Sequence, residues 1–137
     1  MTDGMDRSGL PADEGSGPLK GLTVIEAGSM ISANTVGRFL ADYGADVIKI
    51  EHPETGDHLR QFGPQKNGIG LWWKYLGRNK KSVTLDISTE EGQVVFEDLV
   101  SDADVLVENF RSGTLERWNL GWDRLSELNP ELVMLRL

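Results

Sequence analysis

Residues 44–57 read GADVIKIEHPETGD, and this stretch decides the fold. Its first half, from Asp46 to Glu51, is a run of apolar and β-branched residues that is typical of a buried strand. Its second half is a turn rich in acidic residues that also contains Gly56. The strand therefore runs straight into a loop, and in open α/β sheets ligands bind beyond the carboxyl ends of the strands.

The residues that precede this stretch complete a strand, helix and strand unit. Residues 22–27 form a β-rich run, and after Gly28 the apolar residues take up helical spacing until Gly44 ends the helix. Ser32 or Asn34 could cap this helix. The residues that fall on one helical face are Val36, Phe39, Leu40 and Tyr43. This order of elements is that of a parallel crossover unit.

The same alternation continues downstream. Residues 52–77 have two prolines and no sustained period, which predicts a long connection, and long connections in compact domains are often functional. Residues 82–87 are predicted to form a strand, residues 88–91 a capping box, and residues 105–109 the next strand. A short helix at 114–118, a helical pattern that ends at Asn129-Pro130 and a last strand at 132–137 follow. The predicted buried side of the helix after the capping box consists of Val94, Val95, Leu99 and Val100.

This alternation predicts an α/β fold, a doubly wound and mainly parallel sheet. The turns at 28–32, 52–57 and 109–112 should then lie on one rim. Residues 1–18 are mostly Gly, Ser, Asp and Pro with few apolar side chains to bury, and are predicted to be a flexible tail. Because the chain stops inside an apolar strand, we expect residues 19–137 to be an incomplete part of a larger domain.

Composition excludes several classes of site. With 14 basic and 22 acidic side chains the net charge is −8, which argues against a nucleic acid partner. The absence of cysteine excludes disulfides and thiolate metal sites, and we expect no metal site. No apolar run approaches the roughly 20 residues that span a bilayer, and the first 17 residues lack the apolar core of a secretory signal. The expected location is the cytoplasm, with no membrane contact.

The first turn argues against a dinucleotide cofactor. NAD and FAD folds need a glycine triplet at this turn so that the backbone can approach the pyrophosphate, and here only Gly28 is present. His52 and His58 flank the acidic turn and could act as acid or base, but loop histidines are more often solvated. No carboxylate can be singled out as a nucleophile from the sequence.

Basic and aromatic side chains supply the candidates for binding. The run that contains Lys74, Arg78, Lys80 and Lys81 could contact phosphates or could be a solvated turn. Arg111 is better placed because it directly follows a predicted strand.

Three further candidates have two readings each. Arg117 could join Arg111 at a phosphate or could form a surface salt bridge. Phe110 could stack on an adenine or pack in the core. Two adjacent indoles, Trp72 and Trp73, cannot both face one core, so one of them should line a pocket or an interface.

Three more segments agree with residues 44–57 in order and spacing. They are RNKKSV at 78–83, DVLVENFR at 104–111 and LNPELV at 128–133. Together the four segments resemble the N-terminal part of the class III CoA-transferases, a family that includes formyl-CoA transferase, carnitine CoA-transferase and α-methylacyl-CoA racemase. The resemblance covers about residues 19–137 and implies a Rossmann-like large domain, an interlocked homodimer in the full-length form, and acyl-CoA and a carboxylic acid as substrates.

The resemblance also implies which residues meet coenzyme A, which is a substrate and not a permanently bound cofactor. The turn Met30, Ile31 and Ser32 would cover the CoA adenosine. His52 stands where many members carry an arginine that contacts CoA, and Ala33-Asn34 replaces a glycine-proline pair. The remaining implied contacts are Leu85 near the adenine, Asn109, Phe110 and Arg111 at the pantetheine and nucleotide, and Arg117 at a phosphate.

The implied chemistry lies elsewhere in the family's sequence. Transfer runs through an aspartate that carries the acyl group and then CoA, and the resemblance puts that aspartate beyond Leu137. No catalytic residue is therefore expected in this chain, and the 137 residues alone should be inactive. The Trp72-Trp73 segment would help to choose the acceptor acid. The alternatives are a racemase of the same family and a non-catalytic module for CoA binding or subunit interaction.

Overall fold

The computed structural model describes residues 17–137, so most of the predicted tail, residues 1–16, lies outside the described residues. The strands are β1 (Thr23–Glu26), β2 (Asp46–Glu51), β3 (Gln65–Lys66), β4 (Ile69–Gly70), β5 (Lys80–Thr84), β6 (Val105–Glu108) and β7 (Val133–Arg136). The helices are α1 (Ser32–Asp42), α2 (Leu71–Leu76), α3 (Glu90–Ser101), α4 (Thr114–Arg117) and α5 (Trp122–Leu128), with a 3-10 helix at His58–Arg60.

Five strands form one parallel sheet in the order β5, β2, β1, β6, β7. Numbered among themselves along the chain, these strands lie in the order 3-2-1-4-5, which is the order of a doubly wound Rossmann-like sheet. The predicted α/β fold is confirmed. The order reverses between β1 and β6, so the crevice in which such folds bind ligands lies beyond the carboxyl ends of these two strands.

Both faces of the sheet are covered. Val24, Val47 and Val107 point to the face that α1 covers, together with Ala33 and Ala41 of that helix. The other face packs against α3, α4 and α5, and the buried residues of this side include Ile25, Ile50 and Leu106 of the strands and Phe96, Val100, Leu115 and Leu125 of the helices. This alternation along each strand is what a two-faced buried sheet requires.

Helix α1 ends where the sequence predicted, but it buries a different face. Tyr43 closes the helix, and Gly44 follows at a φ of 100°, a left-handed conformation that glycine adopts readily. The predicted apolar face is only half right: Phe39 and Tyr43 are more than half exposed, whereas Val36 and Leu40 are partly buried against the core. The buried residues are instead Ala33, Asn34, Gly37, Arg38 and Ala41.

The helix cap predicted at Ser32 or Asn34 is wrong. Both residues lie inside α1, and the cap position falls on Ile31, which makes no side-chain hydrogen bond to the helix. The amide of Asn34 is turned instead toward the backbone carbonyl of Met30 and the carboxylate of Asp57. The polar side chain near the helix start therefore serves the loop in front of the helix.

Helix α3 begins within the segment predicted as a capping box, but the reciprocal pair of such a box is not formed. The N-cap is Thr89, whose hydroxyl accepts a hydrogen bond from the Gly92 amide at 3.1 Å. The prediction that Val94 and Val95 are buried is wrong, because Val94 is 61% exposed and Val95 is 46% exposed. Phe96 and Val100 form the buried side instead, with Leu99 partly buried. The helix directs its largest apolar side chain, Phe96, toward the sheet, and this orientation leaves the two smaller valines exposed to solvent.

The connection at 52–77 contains more structure than the sequence predicted. Asn67 and Gly68 both have positive φ, 53° and 74°, and join β3 to β4 as a two-residue hairpin turn. Helix α2 follows at once, so the two tryptophans lie on a helix and not in a glycine-rich loop. The next strand, β5, also begins two residues earlier than predicted, at Lys80.

Within residues 17–137, no helix is both long enough and apolar enough to cross a membrane.

The two faces of α3 give a direct test of this packing. Phe96→Ala should lower the free energy of unfolding by about 3–5 kcal/mol, because it removes a fully buried ring and leaves a cavity. Val94→Ala should change it by less than about 0.5 kcal/mol. Urea unfolding of both variants checks the expectation, and similar losses in the two would contradict the observed helix orientation.

Candidate functional site

A cleft of about 300 Å³ opens at the carboxyl ends of β1, β2 and β6. Its floor is the turn that begins at Ala27 and Gly28, and one wall is the loop 51–58. Residues 85–88, which follow β5, and the pair Phe110 and Trp118 complete the lining. The cleft therefore lies at the crevice where the strand order reverses, as doubly wound folds predict.

Three of the predicted contact residues line this cleft, namely His52, Leu85 and Phe110. Phe110 meets Trp118 edge to face, with ring centroids 5.5 Å apart and planes at 79°. Trp118 was not among the residues predicted to contact a ligand. It lies at the end of the short helix α4, one helical turn after Thr114, and this spacing could have indicated that its ring returns toward Phe110.

His52 stands at the mouth of the cleft with 43% of its side chain exposed. Its Nδ1 accepts a hydrogen bond from the Glu54 amide at 3.2 Å, and its Nε2 lies 3.5 Å from Oδ2 of Asp86. Hydrogen bonds from the Ser88 hydroxyl and amide hold the pKa of Asp86 below its usual range, and His52 adds to this. The histidine side of the mouth thus carries a carboxylate and not a free cation.

The other predicted contacts surround the cleft without lining it. Met30, Ile31 and Ser32 form the turn in front of α1, and Met30 adopts a φ of 65°. Asn109 follows β6 and holds this turn. Its Oδ1 accepts from the Ser29 amide at 2.9 Å, and its Nδ2 donates to the Ser29 carbonyl at 2.7 Å and to the Ser32 hydroxyl at 2.9 Å.

Two predicted arginines lie beside the aromatic wall. Arg111 directly follows Phe110 and is exposed, and among residues 17–137 no partner for its guanidinium is present. Arg117 is exposed too, and its guanidinium donates to the Thr114 hydroxyl at 3.2 Å. The salt bridge that was the other reading of Arg117 is not seen in the described part of the chain.

The two tryptophans lie away from the cleft. Trp72 is 42% exposed and borders a shallow apolar depression with Pro64, Leu71 and Tyr75. Trp73 packs under Arg60, whose guanidinium carbon lies 3.8 Å from the centroid of the ring. One indole does border a pocket, but it is a separate one from that at the strand ends.

The basic run is largely used by the protein itself. Arg78 forms two hydrogen bonds to Asp42, and Lys81 pairs with Asp46 at 2.6 Å. Lys80 is buried and pairs with Glu26 at 2.6 Å. Burial lowers the pKa of Lys80 against the attraction of Glu26. Arg78 and Lys81 remain largely solvated, as one reading of this run predicted, whereas the buried Lys80 fits neither the phosphate reading nor the solvated one.

Behind the cleft floor lies a buried network of charges that the sequence analysis missed. The Lys49 ammonium, 1% exposed, contacts Oε1 of Glu26 at 2.9 Å, Oδ2 of Asp57 at 2.8 Å and the Gly28 carbonyl at 2.9 Å. The other carboxylate oxygen of Glu26 accepts a hydrogen bond from the Lys80 ammonium. Asp57, Lys49, Glu26 and Lys80 thus alternate in sign, so that no charge is left unpaired in the low-dielectric interior.

Asp57 is the most heavily engaged of these groups. Its carboxylate accepts hydrogen bonds from the Ser29 hydroxyl, the Met30 and Leu59 amides and the Asn34 side chain, at 2.6–3.1 Å. Burial alone would raise the pKa of Asp57, but the Lys49 ammonium and these hydrogen bonds outweigh it and hold the pKa at about 2. The carboxylate is therefore ionised at any physiological pH.

A pattern in the sequence could have revealed this network. Each of the three neighbouring strands β1, β2 and β6 ends in a glutamate, and Glu26, Glu51 and Glu108 are all at least 96% buried. Each is paired, Glu51 with Arg60 and Glu108 with Arg136. Buried carboxylates are rare unless they are paired, so a repeated glutamate after an apolar strand indicates a partner.

Among residues 17–137 no group of three or more histidine, aspartate or glutamate side chains is arranged to hold a metal ion.

Comparison with known proteins assigns the chain to a family. The model of CoA-transferase family III matches residues 19–137. The chain belongs to CoA-transferase family III. It is 52% identical over 121 residues to the beta subunit of succinyl-CoA–L-malate CoA-transferase from Chloroflexus aurantiacus, an overlap of 88% of this chain and 30% of that protein.

Other family III proteins match over the same region. A succinyl-CoA–D-citramalate CoA-transferase from Chloroflexus aurantiacus is 48% identical, and a formyl-CoA:oxalate CoA-transferase from Escherichia coli is 39% identical. A crystal structure of a CAIB/BAIF family protein from Brucella suis superposes with a TM-score of 0.81 at 39% identity, covering 88% of this chain and 33% of that one. This chain therefore spans about 30% of the length of the family III relatives it matches.

The buried ammonium gives a test of the network. Lys49→Met should lower the free energy of unfolding by about 3–5 kcal/mol, because it leaves the buried carboxylate of Asp57 without its cation and leaves Glu26 with Lys80 alone. The matched control is Lys81→Met, whose pair with Asp46 is largely exposed and should be worth less than about 1 kcal/mol. Equal losses in urea unfolding would show that Lys49 is not the centre of the network.

The ionisation of Asp57 predicts an acid transition. Its pKa falls from 3.8 to about 2 on folding, so its stabilising contribution, roughly 2 kcal/mol, is complete above pH 4 and is lost as the pH falls to 2. The stability difference between wild type and Asp57→Asn should therefore shrink across this window. Glu54→Gln, on an exposed side chain of the same loop, should keep a constant difference. A difference for Asp57→Asn that does not change with pH would contradict the assignment.

Proposed function

We propose that this chain supplies part of the coenzyme A site of an acyl-CoA:carboxylate CoA-transferase. The observation that carries the proposal is the cleft at the strand reversal, with Phe110 and Trp118 on one wall and the exposed Arg111 next to them. The face of one aromatic ring suits an adenine ring, and an unpaired guanidinium suits a phosphate. CoA carries both groups, and it is a substrate here and not a resident cofactor.

The size and charge of the cleft fit this role. A volume of about 300 Å³ is at the lower limit of small-molecule pockets, so it suits the nucleotide end of CoA better than the whole molecule. Leu85 and His52 border the same space. The chain carries a net charge of −8, so an anionic ligand depends on local cations such as Arg111 and Arg117.

The names of the relatives favour transfer over the other readings. The family III proteins described above are named as CoA-transferases, which supports transfer over racemisation and over a non-catalytic module. In the proposed reaction, CoA moves from the donor acyl group to an acceptor carboxylate by way of an aspartate outside these residues. The donor thioester is broken and its acyl group leaves as a carboxylate, while the acceptor carboxylate becomes the new thioester. Trp72 and Trp73 remain candidates for choosing the acceptor acid.

A homodimer and a cytoplasmic location belong to the same proposal. Two relatives from Chloroflexus aurantiacus are named as beta and alpha subunits of one transferase, which supports assembly of more than one chain. The activity is tested on the complete protein that carries this chain, with succinyl-CoA as the first donor. Appearance of a new acyl-CoA only when a carboxylic acid is added supports transfer, and exchange of an α-proton without any acid would contradict it.

The CoA contact has its own test. Arg111→Ala should weaken CoA binding by about 1–3 kcal/mol, because it removes a charge-assisted contact to a phosphate. Arg124→Ala is the control, since that guanidinium is already engaged by both carboxylate oxygens of Glu97 and lies on α5. Calorimetric titration with CoA, beside an NAD control, checks the expectation. Unchanged affinity in Arg111→Ala, or no CoA binding by a cooperatively folded chain, would contradict the proposed contact.

A further inference from the structure

The turn between β1 and α1 occupies the position at which dinucleotide folds bind pyrophosphate. In those folds the backbone N–H groups of the turn and of the first helical residues point at the phosphates. Here the loop 51–58 closes over that position and brings Asp57 in front of α1. An external anion can bind at this turn only if backbone N–H groups there are still free to donate.

The backbone groups of Ser29 and Met30, at the centre of the turn, are already in use. The Ser29 N–H and C=O both bond to the side chain of Asn109. The Met30 N–H donates to Asp57 at 3.0 Å, and the Met30 C=O accepts from Asn34 at 2.6 Å. The Gly28 carbonyl accepts from Lys49. Ser29 and Met30 therefore have no backbone donor left for a phosphate.

The surroundings of Asp57 resemble those of a bound anion. Its carboxylate receives two backbone N–H groups, a hydroxyl, a side-chain amide and an ammonium, and only 3% of the residue is exposed. These are the donors that anion sites in proteins use. The difference is that this anion is part of the chain.

We propose that the Asp57 carboxylate is a built-in anion that fills the phosphate position in front of α1 and holds the turn 28–32 in place. It excludes pyrophosphate from that position, and it keeps Met30 in a left-handed conformation that residues other than glycine disfavour. Asp57 is thus a positioning residue: it borders the cleft, but both of its carboxylate oxygens are engaged by the protein itself. A consequence that rests on the proposed function is that the phosphates of CoA bind at the rim arginines, Arg111 and Arg117, and not at the turn.

Chemical rescue tests this directly. Asp57→Gly opens a space of carboxylate shape that still faces Lys49 and the Met30 and Leu59 amides. The variant should unfold at a lower temperature than wild type. Sodium formate should raise the midpoint temperature of its thermal unfolding to a plateau, and this rise should exceed the rise in wild type by about 3 °C or more. The control is Glu97→Gly, which removes a paired carboxylate from the surface of α3 and should gain nothing extra. Sodium chloride at equal ionic strength corrects for general salt effects.

A formate response in Asp57→Gly no larger than that of Glu97→Gly would overturn the proposal. A second measurement covers the case in which Asp57→Gly does not fold. Sodium pyrophosphate is titrated into ¹⁵N-labelled wild-type chain, and the amide chemical shifts are followed by NMR. The largest shift changes should not occur at the Ser29 and Met30 amides. Saturable shifts that are largest at these two amides would also overturn it.

Neither arm contains CoA, so both are independent of the proposed function. A CoA titration of the same labelled sample that moves no amide would count against the proposed function alone.

Discussion

The rest of the structure depends on one buried ion pair network, centred on the ammonium of Lys49. A lysine with 1% of its side chain exposed is costly to bury unless carboxylates surround it. Glu26 lies opposite Lys49 in the register of β1 and β2, and Asp57 reaches the same ammonium from the loop beyond β2. The network therefore fixes both the pairing of the two central strands and the path of the loop that follows them.

The fixed loop in turn shapes the cleft. Asp57 begins the 3-10 helix at His58–Arg60, and Leu59 behind it is fully buried. Arg60 extends the network outward, because its guanidinium bonds both oxygens of Glu51 and covers Trp73. The wall of the cleft is thus continuous with the core, and we expect it to keep its shape without a ligand.

The sequence predicted the features that depend on residues close to one another along the chain. The strand at Asp46–Glu51 has its predicted ends, and the order of strands and helices gave the sheet and the rim on which His52, Leu85 and Phe110 meet. The bonds between Asn109 and Ser29 join residues 80 positions apart, and no local period reports such a pair.

The buried face of α1 escaped prediction for a related reason. It carries Asn34 and Arg38, which are buried because Asp57 binds one and Asp42 and Tyr75 hold the other. Hydrophobic periodicity cannot find a polar face whose partners lie on other elements.

The glutamates that end β1, β2 and β6 explain why the floor of the crevice offers little attraction to an anion. Each is neutralised by a lysine or arginine, so the floor of the crevice is polar but carries no free positive charge. Attraction for a phosphate must then come from side chains outside the network, and Arg111 is exposed and unpaired within the described residues. In the proposed site, stability and ligand affinity therefore depend on different residues. A substitution at the rim can alter binding without unpairing a buried charge, whereas a substitution in the floor changes the fold first.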